Sequence, residues 1–94
     1  MKLFIIRHGE TDINKEKRYQ GINIDISLNK EGIEQVKNTL KYFQKKQIKT
    51  QKIYTSPLKR TTETSSILNT YFQADIIEDK LLLIRYCYEL TNPY

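Results

Sequence analysis

Two rhythms of apolar positions run along this chain. Leu3-Phe4-Ile5-Ile6 is an unbroken apolar run, the pattern of a strand covered on both faces. Arg7 to Asp25 is polar, contains Gly9 and Gly21, and reads as a long loop. A helical rhythm then begins: Ile33, Val36, Leu40, Phe43 and Gln47 follow one another at spacings of three and four. They form one stripe of an amphipathic helix, with Ser27 or Asn29 available as its N-cap. Lys45, Lys46 and Lys49 lie near its end, where the helix dipole favours positive charge.

The second half repeats the alternation. "QKIYTS" reads as a short strand, "SPLKRTTETSSILNTYF" as a helix and "ADIIE" as a further strand. Ser56 is suited to cap that helix. Pro57 is suited to its first position, where a missing N–H costs nothing. The order strand, loop, helix, strand, helix, strand predicts an α/β sandwich with a mainly parallel sheet and right-handed crossovers. Residues 1–94 are expected to form a single domain, without repeats or an interdomain linker.

Composition narrows the field more than it points. At 38% hydrophobic and 29% charged residues the chain has the make-up of a water-soluble domain. Its apolar runs are too short to span a bilayer, so no membrane partner is expected. Nothing at the N-terminus resembles a signal peptide, and the lone Cys87 suits a reducing compartment; the expected location is the cytoplasm. One cysteine and one histidine make a Cys/His metal site a poor fit, and no metal is expected. The net charge of +5 raises nucleic acid as a partner. Twelve of the sixteen basic residues are scattered lysines, however, which read as a solvated surface and not as a nucleic-acid groove.

Candidate chemistry gathers at two strand ends. In open α/β sheets ligands collect at the carboxyl ends of the strands. The first predicted strand runs into Arg7-His8-Gly9-Glu10-Thr11, and the second into Thr55-Ser56-Pro57, with Arg60 following closely. If the two strands are neighbours, Arg7, His8 and Arg60 converge on one crevice. Two guanidiniums and an imidazole suit a phosphate, whose oxygens match the arginine fork. Each residue also has a plain alternative: Gly9 as a turn, His8 as a structural histidine, Arg60 as a solvated charge, Asn14 as a turn residue. Spacing and chemistry therefore reach an anion site without fixing a nucleophile.

"FIIRHGETDIN", "RYQGINIDISLNKEGIEQ" and "IYTSPLKRTTETSSIL", in that order, resemble the histidine phosphatase superfamily, which includes phosphoglycerate mutases and many phosphatases. The resemblance covers about residues 2–79 and implies a three-layer α/β/α sandwich, incomplete relative to the family. It implies that His8 is the phospho-accepting nucleophile and that Arg7 and Arg60 hold the phosphoryl oxygens. Asn14 would add a contact and Gly21 would line the pocket mouth. Thr11 would lie at the substrate site, where it leans towards the phosphatase branches, since the mutases more often resemble "RHGES". The implied partner is a phosphorylated small molecule or phosphate, with no cofactor.

Two parts of the family pattern are missing. Family members carry an acid in a stretch like E-x-x-x-G-x-x-E-G, whereas "DKLLLIRYCYELTNPY" puts Leu83 or Ile84 at that position. Glu89 looks more like the family's second, non-catalytic glutamate. Loss of a general acid typically costs ~10²- to 10⁴-fold in rate. The family also uses a second histidine near the end of a chain about twice this long, and this sequence has only His8. The expectation is an N-terminal half, with family register lost after about residue 82, as in a frameshifted or truncated product. Three functions follow: a phosphomonoester hydrolase working through a phosphohistidine, a phosphate-binding remnant without turnover, or mutase-type phosphoryl transfer.

Overall fold

The computed structural model describes residues 3–15 and 25–82. A four-residue helix α1, Asp12–Lys15, is followed by the long helix α2, Lys30–Lys45. Strand β1, Lys52–Thr55, helix α3, Lys59–Phe72, and strand β2, Asp75–Glu78, complete the described elements. The strands pair in parallel, Ile53 opposite Ile76 and Tyr54 opposite Ile77, with α3 as the crossover between them. The class is α/β with a small, incomplete parallel sheet, as the pattern predicts.

Helix α2 forms where its stripe begins and ends at Lys45, short of Gln47. Asn29 is the cap: its side-chain oxygen accepts from the Gly32 N–H at 2.7 Å. Val36 and Phe43 are buried, with Ile33 and Leu40 partly so. Gln47 does not extend the stripe. It takes a left-handed φ of 56° just past the helix, and the Ile48 N–H turns back to the Phe43 carbonyl at 3.0 Å. Such a reversal satisfies the last carbonyls that a helix leaves open.

Helix α3 starts later than Ser56-Pro57 suggests. Its cap position is Leu58, which has no side chain able to bond the first turn. The Asp25 carboxylate accepts from the Lys59 N–H at 2.7 Å, so the cap comes from 34 residues away. At the other end Gln73 adopts φ 52°, and both polar atoms of the Asn69 side chain bond the backbone of Ala74. Leu68 and Phe72 bring α3 onto α2, and Phe43 meets Phe72 edge-on at 5.2 Å. This cluster, with Leu28, Val36 and the partly buried Ile53 of β1, is the core.

The expected first strand is not formed. Among the described residues Leu3–Ile6 joins no ladder, although its side chains still alternate. Leu3 and Ile5 are 82% and 90% exposed, while Phe4 reaches edge-on to Phe43 at 5.6 Å. One side of the segment thus rests on the helices and the other is open. An apolar run records a tendency to be buried. It does not supply the second layer or the strand neighbours that burial requires.

Candidate active site

Residues 7–11 pass over the first turns of α2, and two glycines permit the crossing. A Cβ on Gly9 would come within 2.5 Å of the Gly32 carbonyl, and one on Gly32 would collide with the backbone of Glu10. The Asn29 N–H donates to the Glu10 carbonyl at 3.0 Å. Its side-chain amide donates to the carboxylates of Glu10 (3.1 Å) and Asp12 (3.3 Å). The residue that caps α2 therefore also holds the loop.

Further side chains fix the backbone on either side of Gly9. The Thr64 hydroxyl of α3 accepts from the Gly9 N–H at 3.1 Å and donates to the Arg60 carbonyl at 2.7 Å. The Gln35 side chain of α2 accepts from the Glu10 N–H at 2.9 Å. In the sequence Gln35 falls at a family position of the second block with no role attached to it, and Thr64 is signalled only by lying four residues after Arg60, hence on the same helix face.

His8 is buried, and its Nδ1 lies 2.6 Å from the Gly9 carbonyl oxygen. A carbonyl only accepts, so Nδ1 carries the proton and the lone pair of the neutral ring sits on Nε2. Burial pushes the pKa of the ring down from 6.5 to about 4. The bond to Gly9 works against that shift, and the positive charges of Arg60 and Arg7 add to it. His8 is thus a neutral imidazole at pH 7, held in one tautomer beside two cations.

A cleft of about 400 Å³ opens between this segment and α2, lined by Ile6, Arg7, His8, Glu10, Gln35 and Thr39 among others. Arg7 is exposed on its wall, while Arg60 is fully buried and acts on His8 from within the protein. Thr11 is fully buried as well. Asn14 falls in α1, and Gly21 lies outside the described residues, as do Leu83, Ile84, Cys87 and Glu89. Arg7 and Arg60 are thus both close enough to act on the charge of His8, while Thr11 is a fully packed residue. Among the described residues no cluster of His, Cys, Asp and Glu is arranged to hold a metal, and no helix is long and apolar enough to cross a membrane.

Comparison with known proteins adds a pattern that covers the whole site. Residues 3–83 match the family model of the histidine phosphatase superfamily, branch 1. The chain is 42% identical over 74 residues to the uncharacterized phosphatase PhoE of Bacillus subtilis, covering 79% of this chain and 37% of that protein. It is 40% identical over 63 residues to a 2,3-bisphosphoglycerate-dependent phosphoglycerate mutase of Porphyromonas gingivalis, 67% of this chain and 25% of the mutase. A mutase of the same description from Hamiltonella defensa is 32% identical over 93 residues, 99% of this chain and 35% of its own length. The chain therefore spans 25% to 37% of the length of these relatives.

Proposed function

The chain belongs to the histidine phosphatase superfamily, and we propose that its site accepts a phosphoryl group from a phosphomonoester onto His8. The observation that carries this reading is the ring itself: neutral, with Nδ1–H committed to the Gly9 carbonyl and the lone pair on Nε2. Such a nitrogen attacks phosphorus in line without first having to lose a proton. The Nε2–P bond forms as the P–O bond to the alcohol breaks, and the departing oxygen takes a proton from water. A second water then attacks the phosphohistidine, giving inorganic phosphate and regenerating the neutral ring.

Arg7 and Arg60 oppose the charge on the phosphoryl oxygens, Arg7 from the cleft wall and Arg60 from its buried position. Asn14 and Gly21 are assigned to the substrate on family resemblance alone. Thr11, fully buried, fits better as support beneath the loop than as a direct contact. The substrate class is a small phosphorylated molecule. The phosphatases and mutases among the relatives leave hydrolysis and transfer to another acceptor as the two fates of the phosphohistidine.

A second reading, phosphate binding without turnover, is favoured by Leu83 or Ile84 standing where the family pattern has its acid. One experiment separates the two. The chain is mixed with an activated aryl phosphate and quenched in alkali, and protein-bound, acid-labile phosphate is measured beside released phosphate. Bound phosphate that is lost in His8→Ala supports the proposal. Heat protection by inorganic phosphate, with no bound phosphoryl group and no release, supports the second reading.

A further inference from the structure

We propose that Gln35 and Thr64 are positioning residues that fix the two peptide planes flanking Gly9 and, through them, the tautomer and aim of the His8 ring. This rests on the phosphoryl-acceptor reading of His8. The Glu10 N–H and the Gly9 carbonyl belong to one planar, trans peptide, so they point in opposite directions. When Gln35 accepts from that N–H, the carbonyl is turned away from α2 and onto His8 Nδ1. Gln35 thereby selects which ring nitrogen carries the proton without touching the ring.

Thr64 fixes the preceding plane. Its hydroxyl has one proton to give and lone pairs to receive, and uses both kinds: the proton goes to the Arg60 carbonyl and a lone pair takes the Gly9 N–H. The peptide carrying His8 is therefore tied to the same helical turn that carries the Arg60 cation. Loop, nucleophile and cation move as one piece. The two clasps come from different helices, so the site's geometry depends on how α2 packs against α3.

Having a single histidine makes the test direct, because every histidine signal belongs to His8. The full chain, labelled with ¹⁵N-histidine, is examined by long-range ¹H–¹⁵N correlation at pH 7, as wild type, Gln35→Leu, Thr64→Val and Thr64→Ser. Amide spectra establish that each variant is folded. The proposal expects the Nδ1–H tautomer in wild type and T64S, and a mixture rich in Nε2–H in Q35L and T64V. Phosphohistidine formation should slow roughly 10- to 100-fold in the latter two, the scale of a misaimed reacting group. If T64V does not fold, Q35L and T64S carry the decision.

Q35L retaining the wild-type tautomer and rate would overturn the inference. Wild type showing the Nδ1–H tautomer but no phosphohistidine is a different failure. It would remove the function proposed for His8 and leave the tautomer comparison to judge the positioning by itself.

Discussion

Two neighbouring stretches of the N-terminal segment have exchanged their usual places. Leu3-Phe4-Ile5-Ile6 is apolar and largely exposed, whereas the polar Arg7-His8-Gly9-Glu10-Thr11 is pinned and includes three buried residues. The second stretch is held by the side chains of Gln35 and Thr64, which reach its backbone N–H groups, and by Asn29, whose backbone N–H donates to the Glu10 carbonyl. Among the described residues the first rests on the Phe4 contact with Phe43. Position in this segment is therefore set by hydrogen bonds from two helices more than by apolar burial.

The largest effect is expected where the loop crosses α2. Gly32→Ala drives a methyl group into the Glu10 backbone and should cost about 3 kcal/mol, the upper part of the range for overpacking. Urea denaturation would read it, and a loss under ~1 kcal/mol would mean that the crossing is loose.

Acid comes next. The unfolded chain holds more protons on His8 than the folded one between pH 4 and 6.5, so His8 contributes stability that is complete above 6.5 and lost as pH falls towards 4. The shift corresponds to about 3 kcal/mol at most. Denaturation at pH 4.5 and pH 7 should show wild type losing more stability than His8→Asn on acidification. Equal losses would place the ring in water.

Asn29→Ala removes the α2 cap and the side-chain bond to the Glu10 carboxylate, and should cost ~1–2 kcal/mol. The mildest change sharpens the contrast from the other side. Leu3→Thr with Ile5→Thr should leave stability within ~0.5 kcal/mol of wild type, since both side chains face water. A larger loss in thermal unfolding would show that this face is covered after all.

What could be read from the sequence follows the range of the forces involved. The Val36–Phe43 stripe and the Asn29 cap are local, and their spacing announces them. Arg7, His8 and Arg60 approach one another without the strand pairing the pattern predicts, because Thr64 of α3 holds the Gly9 N–H, and Arg60 lies deeper than a solvated charge on a helix surface. The start of α3 is not legible from its own residues because its cap, Asp25, is distant in sequence. Leu3–Ile6 carries a strand pattern without forming a strand, because apolar character does not report whether a covering layer exists. The clasps at Gln35 and Thr64 depend on two glycines crossing, a contact that no local pattern encodes.

The most direct measurement is a proton NMR titration of the single imidazole, with and without inorganic phosphate. The account predicts a ring that stays neutral down to about pH 4 in the absence of phosphate. Adding phosphate should raise that midpoint, because a bound anion favours the imidazolium. A midpoint near 6.5 that phosphate does not move would contradict it, leaving His8 a solvated loop residue with no part in phosphoryl chemistry.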